Sequence, residues 1–348
     1  MPNQIDMFET RAMMQLVSRL PKPTTFLRDT FFKNPETFTT KHVDADFVKS
    51  GRKLAPFVHE KIGGKIVENT GFQTNTFTPA LIAPSKVTTA ADIASRSAGE
   101  SVYASKTPAE RALEKLAKDY IELEDMVTRR EEYMCSQALF GGKIDIVGDG
   151  INRVIDFNFT NEKVLSGTDL WSNDASDPLK DLKEAVREVQ KRGSVNPDVV
   201  IMSSDVADAL INHPKVQKLL DIRNMNIGVI EPKIVAPGAT YLGRLPGLNL
   251  DMYEYNEYYL DDFTDPANPV IKSLVPEGTL MVAATSVNNT LAYGAVTIMG
   301  DNGFETIESS RVPESWIERR PARQFVQLNS KPLPIPREVD SWYTLTVL

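Results

Sequence analysis

TPAERALEKLAKDYIELEDMVTRREEYMCSQALFGG, residues 107–142, is the stretch on which the fold turns. Thr107, Pro108 and Glu110 form a capping box, with Thr as N-cap, Pro at the first helical position and Glu at the third. Apolar residues follow at Leu113, Leu116, Tyr120, Leu123, Val127, Met134 and Ala138. They make one helical stripe with a turn missing at Arg130-Glu131. Gly141-Gly142 is the C-terminal stop. At ~1.5 Å per residue this is a rod of roughly 50 Å, about three times the length of an average globular helix. One narrow stripe on so long a helix suits a rod lying across a sheet.

The flanks differ in character. Before the helix, Met7 to Leu20 is a short amphipathic segment closed by Pro21-Lys22-Pro23. An aromatic-rich arm follows, with Phe26, Phe31, Phe32 and Phe38, whose burial needs a compact neighbouring surface or another subunit. Residues 48–92 read as a long β-hairpin: Phe57 to Val67, a turn at Asn69-Thr70-Gly71, then Phe72 to Thr78. A two-stranded ribbon is marginal alone in water. Arm and ribbon are therefore expected to be shielded by copies of the same chain, and removing residues 1–32 to leave a soluble core.

Beyond the helix, Lys143 to Phe159 reads as a second hairpin turning at Gly148-Asp149-Gly150. An α/β unit follows. A helix starts at Asp177-Pro178 and stops at Gly193. Val199 to Met202 is a wholly apolar strand, the mark of a centre buried on both faces. Ser203-Ser204-Asp205 caps a helix that His213-Pro214 ends, where a positive charge would suit the dipole. Further strands are expected at Leu248 to Tyr255, Thr279 to Ala284, Leu291 to Met299, Phe304 to Ser309, Ala322 to Leu328 and Trp342 to Val347. Pro332, Pro334 and Pro336 divide the last two.

Composition narrows the function. Among 348 residues, 39 are basic and 47 acidic, a net charge of −8, with no basic block. Gripping nucleic acid requires Lys and Arg to displace phosphate counterions, so strong DNA binding is not expected. A single cysteine, Cys135, cannot form an intrachain disulfide. No basic-then-apolar leader opens the chain, and no apolar run reaches the ~18 residues that span a bilayer.

A search for chemistry yields no catalytic, cofactor-binding or metal-ligating assignment. His42, His59 and His213 have no second ligand at metal spacing. Gly148-Asp149-Gly150 lacks the rest of a phosphate loop. Asp145, Asp149, Gly150 and Asp156 fit four positions of a calcium loop, but Val147 and the alternating pattern favour a hairpin. Asp261-Asp262 with Asp265 reads as a solvated acidic loop. No GxSxG occurs. If an enzyme site existed, it would gather Asp205, His213 and Asp221 in the 166–300 unit.

Three passages carry a resemblance. They are the arm from Phe26-Leu27-Arg28 to Phe38-Thr39-Thr40, then Phe77-Thr78-Pro79 with Pro84 ahead of the long helix. The third is the end of the chain, through Pro313-Glu314-Ser315-Trp316, Pro321-Ala322-Arg323-Gln324-Phe325 and Ser330-Lys331-Pro332-Leu333. In order and spacing the sequence resembles the major capsid proteins of tailed phages, the lambda-like family in particular. The resemblance implies an α+β chain with the Hong Kong 97 phage capsid fold. It implies an N-terminal arm at 1–47, an extended β-hairpin loop at 48–92, a peripheral domain with a spine helix at 93–165, an axial domain at 166–300 and return strands of the peripheral domain at 301–348. It implies no enzyme and no cofactor. The expected role is self-assembly as hexamers and pentamers into the icosahedral head around double-stranded DNA, in a virion assembled in the host cytoplasm. Expected partners are a separate scaffold protein, a portal protein and a decoration protein. Some relatives cross-link Lys to Asn between subunits; Lys61, Lys65 and Asn69 carry no sequence support for that bond. An encapsulin-like cage is the alternative.

Overall fold

The computed structural model describes residues 25–40, 42–48, 72–95, 107–148, 150–221, 233–245, 247–300 and 303–348. Pro108–Phe140 is one unbroken helix. Its capping box closes as the sequence dictates: the Thr107 N–H donates to Glu110 Oε2 at 2.7 Å, and the Glu110 N–H donates to Thr107 Oγ1 at 3.3 Å. At the far end the Gly141 N–H donates to Gln137 O. Gly142 takes the left-handed φ of 63°, where a glycine carries no Cβ penalty.

The first half of the helix does lie across a sheet. Leu116, Tyr120, Leu123 and Val127 pack on Val326 and Leu328. That sheet has three strands, in the order Val312–Arg319, Ala322–Asn329, Ser85–Thr89. The second half enters the main core through Met134, Cys135, Ala138 and Leu139. Two details of the expected stripe change. Leu113 is 41% exposed, because the sheet begins one turn later. The missing turn is not missing: Glu131 and Glu132 fill it and are fully shielded.

A seven-stranded sheet forms the other half of the molecule. Its order is Glu162–Val164, Trp342–Thr346, Thr279–Ala283, Val199–Met202, Leu250–Tyr255, Ala239–Leu245, Lys233–Ala236. Val199–Met202 is the middle strand, and each of its four residues is buried. Ile201, Met281, Tyr255 and Trp342 face the main core. Val200, Met202, Leu280 and Leu345 face a second core, which Leu182 and Ala185 of helix Pro178–Arg192 and Val206 and Leu210 of helix Ser204–Asn212 complete. Trp342–Thr346, expected among the return strands of 301–348, lies inside this sheet. A chain that leaves the sheet at residue 283 and rejoins it at 342 ties the two halves together.

The arm is corrected in its burial. Phe26, Leu27, Phe31 and Phe32 are 7%, 0%, 2% and 3% exposed within the chain's own core, and Phe38 packs against it. The compact neighbouring surface is intramolecular, so residues 25–38 are not an outlying piece. Asn34–Thr37 adds in parallel to Thr290–Tyr293, whose other neighbour is Pro332–Ile335. The expected strand Leu291 to Met299 is thus two strands: beyond Gly294 the chain turns into the separate hairpin Val296–Gly300 with Gly303–Ile307. The proline run expected to be a divider is itself a strand. It sits at a sheet edge, where a missing N–H costs no ladder bond.

The ribbon is also relocated. Phe72–Phe77 pairs antiparallel with Val43–Val48, from Val48↔Phe72 to Val43↔Phe77. Ser85–Thr89 has already left to join Ala322–Asn329. Phe57 to Val67, the turn at 69–71, Lys61, Lys65 and Asn69 lie outside the described residues. The second hairpin forms as expected, Lys143–Gly148 with Ile151–Asp156.

Candidate functional site

The turn of the long helix that looked polar in sequence is a buried charge junction. Glu124, Thr128, Glu131 and Glu132 project from one side of it, at a spacing near one and two helical turns. Two arginines meet them from distant parts of the chain. Arg311, from the root of strand Val312–Arg319, is bidentate on Glu131: Nη1 donates to Oε1 at 2.7 Å and Nη2 to Oε2 at 3.1 Å. Its Nε donates to Glu124 Oε2 at 2.8 Å. Arg28, from the short helix Leu27–Phe31, donates from Nη1 to Glu131 Oε2 at 3.0 Å. Glu132 accepts the backbone N–H groups of Phe26, Leu27 and Arg28 at 3.1, 2.7 and 2.9 Å, and the Tyr255 hydroxyl at 2.8 Å.

Three buried carboxylates thus gather around two part-buried guanidinium groups, and Glu132 borders the smaller of two cavities along the helix. Burial alone would lower the pKa of Arg311, but Glu131 and Glu124 outweigh it and hold the group above its ordinary value. Arg28 is raised for the same reason, burial being offset by Glu131 and Asp29. Glu132 is held by backbone N–H groups and a hydroxyl rather than by a guanidinium. Burial pushes its carboxyl above the usual range, against the pull of its hydrogen-bond donors and Arg28. The junction is a clasp. It holds residues 26–28 and the start of the 312–329 hairpin onto one helix. It has no open nucleophile: Cys135, one turn away, is fully buried, and burial pushes its thiol well above the ordinary value.

The residues weighed for chemistry are dispersed. Asp205 accepts the Gly278 and Val206 N–H groups at 2.6 and 2.9 Å, which ties a helix start to a turn. His213 is buried. Its Nδ1 accepts the Lys215 N–H at 3.3 Å, and its Nε2 donates to Asn173 O at 3.3 Å. With its carbonyl accepting the Val216 and Gln217 N–H groups, it caps the following helix, Pro214–Asp221. The Asp221 side chain lies outside the described residues. Two cavities, of about 520 and 400 Å³, flank the second half of the long helix, and neither is lined by Asp205 or His213. Asp145 and Asp156 sit on paired strands rather than around a loop. Asp261 is buried, not solvated. Burial works to raise its pKa, but the Lys272 ammonium at 2.7 Å and the Thr264 N–H hold it below the usual range. His42 is exposed and hydrogen-bonds Thr78 Oγ1 at 2.9 Å; His59 lies outside the described residues. Among the described residues, no group of three or more His, Cys, Asp or Glu is arranged to hold a metal ion.

Exposed apolar side chains supply the other kind of site. Leu260 and Ile271 face outward as a cross-strand pair on the hairpin Tyr258–Asp261 with Val270–Ser273. Met299 and Phe304 do so on Val296–Gly300 with Gly303–Ile307. Trp316 stacks on Phe325 at 5.0 Å on the sheet face turned from the helix. These exposed pairs are candidate contact surfaces.

Comparison with known proteins agrees. The protein named major capsid protein of Enterobacteria phage P21 is 23% identical over 350 residues, 98% of this chain and 99% of its own. That of Escherichia phage lambda is 23% identical over 330 residues, 92% of this chain and 93% of its own. The crystal structure of a prophage capsid protein from E. coli CFT073 superposes with a TM-score of 0.71 at 19% identity, over 97% of this chain and 99% of that one. A phage-related protein from Bordetella bronchiseptica RB50 follows at 0.53 and 10% identity, over 96% of this chain and 95% of that one. The family described as phage major capsid protein E matches residues 9–347, so the chain belongs to that family, the structural proteins that form the shell of the phage head.

Proposed function

We propose that this chain builds the icosahedral head as hexamers and pentamers of itself, around double-stranded DNA and with no catalytic step. In this reading the chain has the Hong Kong 97 phage capsid fold, and helix Pro108–Phe140 is the spine of a peripheral domain. The axial domain is built on residues 166–300, with the strands Glu162–Val164 and Trp342–Thr346 that share its sheet. Of the loop expected at 48–92, the part before Ser85–Thr89 joins the sheet beside Ala322–Asn329 serves as the extended loop toward neighbours, rooted in the pair Val43–Val48 with Phe72–Phe77. The residues ahead of it, within the arm expected at 1–47, have their inner part anchored on the chain's own core. A scaffold, a portal and a decoration protein complete the assembly.

The observation that carries this reading is the family match over nearly the whole chain. The clasp supports it physically, since a shell subunit has to bear load between a long helix and two sheets. The net charge of −8 suits a wall that contains DNA without gripping it. Electron microscopy of the purified protein, alone and produced with a scaffold protein, is the test. Hexamers, pentamers or closed shells are expected. A stable monomer under every condition, scaffold included, would rule the reading out.

A further inference from the structure

In the seven-stranded sheet, the large apolar side chains open to solvent stand only on the two outermost strands. Val164 is 70% exposed on Glu162–Val164, and Ile234 and Val235 are 78% and 54% exposed on Lys233–Ala236. Among the described residues both strands are edges, each paired on one side only. An open edge is a row of unpaired N–H and C=O groups ready to accept another strand.

The two edges match each other. Between them lie four antiparallel steps and two parallel ones. An even number of reversals makes both edge strands run in the same sense. One row of partners also crosses the sheet without a break: Glu162↔Thr344, Thr344↔Met281, Met281↔Ile201, Ile201↔Tyr253, Tyr253↔Tyr241, Tyr241↔Lys233. Directly paired residues point to the same face. The row therefore ends in an exposed carboxylate at one edge and an exposed ammonium at the other, on one face and at one height.

We infer that strand Lys233–Ala236 of one copy docks in parallel beside strand Glu162–Val164 of the next, so that Lys233 meets Glu162 and the sheet continues from subunit to subunit. The occupant of each edge is thus a second copy, through its unlike edge. Such a contact is heterologous, the kind that closes into rings when repeated by rotation. Opposite charges directly across a strand pair stabilise the register, and like charges oppose it. Val164 loses solvent beside the apolar edge strand. The strands are short, so the contact adds to larger ones rather than holding a ring alone. The competing view of Lys233 is an edge guard that keeps other strands away.

The inference rests on the shell reading, and the test separates the two. Glu162→Lys and Lys233→Glu are made singly and together, and particle yield is measured beside wild type. Both sites are exposed, so unassembled variants should melt as wild type does. Each single reversal should cut particle yield several-fold, and the double reversal should restore it. In a second arm, Glu162→Cys with Lys233→Cys is oxidised in assembled particles; Cys135 is fully buried and does not compete. Covalent multimers on a denaturing gel are expected. Wild-type particles with no effect of the reversals, or with no recovery in the double variant, together with no covalent multimers, overturn the edge contact and leave the shell reading standing. If the cysteine variant forms no particles, the charge reversals alone decide. Failure of wild type to assemble, scaffold included, overturns both.

Discussion

The middle strand of the large sheet and the middle turn of the long helix are equally buried, yet they hold the chain by opposite means. Val199–Met202 is shielded by apolar side chains on both faces. Each such residue contributes about 1.5–3 kcal/mol through burial, without demanding a particular partner. Glu131 has no exposure either, but it is held by Arg28 and Arg311 from opposite ends of the sequence. A buried ion pair adds little net stability over an apolar replacement, while breaking one leaves a charge that water cannot reach. The sheet is thus tolerant and adhesive, and the junction is intolerant and specific. The junction decides which pieces of chain meet the helix, and where.

The comparison breaks hardest where a charge is put into the apolar stripe. Leu123→Asp places an unpaired carboxylate against Val326 and Leu328, at a cost of several kcal/mol. Loss of the folded chain, read by circular dichroism, is expected; an unchanged melt would show that the helix does not bear on that sheet. Next comes Glu131→Ala. It strips a partner from two part-buried arginines, which keep Asp29 and Glu124, and should cost up to about 3–5 kcal/mol in denaturant unfolding. A loss under about 1 kcal/mol would mean that the clasp is ornamental. Ile201→Ala tests the other region. A truncated core aliphatic of this kind costs about 2–5 kcal/mol, depending on how far the site collapses. If the regions differ as argued, Ile201→Val should be mild, at about 0.5–1.5 kcal/mol, while no conservative change rescues position 131.

The same contrast separates what was legible in sequence from what was not. Val199 to Met202 announced a central strand, because apolar burial is written in residue type. Thr107, Pro108 and Glu110 announced the helix start, because a capping box is local. Glu131 looked like a gap in the stripe, because its partners stand 103 and 180 residues away. Only coordinates bring them together. Phe26 and Phe31 announced that they needed cover but not whose, since an aromatic side chain carries no address. Phe72 to Phe77 read as a strand, yet its partner Val43–Val48 lay beyond the turn signal that seemed to close it. The proline strand was hidden by a rule true of sheet interiors and relaxed at edges.

Glu132 sharpens the contrast through pH. Its folded pKa lies above the ordinary carboxylate value, with burial as the leading cause. The folded state therefore holds a proton that the unfolded state has already lost. The stabilisation tied to that proton is complete below the unfolded value and fades as pH rises through the folded one. Glu132→Gln removes the titration while keeping an oxygen for the backbone donors. Its unfolding free energy should lose this component of the fall as pH rises above the ordinary carboxylate range. Identical pH slopes for variant and wild type would show that Glu132 is not the group that holds the proton.

The smallest expected effect lies at the start of the stripe and tests where the sheet ends. Leu113 and Leu116 look alike in sequence, three residues apart on one helix. Leu116 is 6% exposed against the sheet and Leu113 is 41% exposed. Leu113→Ser should shift stability by no more than about 0.5 kcal/mol, as surface changes do. Leu116→Ala should cost about 2–5 kcal/mol, as core truncations do. Equal losses in the unassembled chain would mean that the sheet reaches a turn further than its pairing indicates. An effect of Leu113→Ser confined to assembled particles would instead mark the exposed leucine as a surface that neighbouring copies cover.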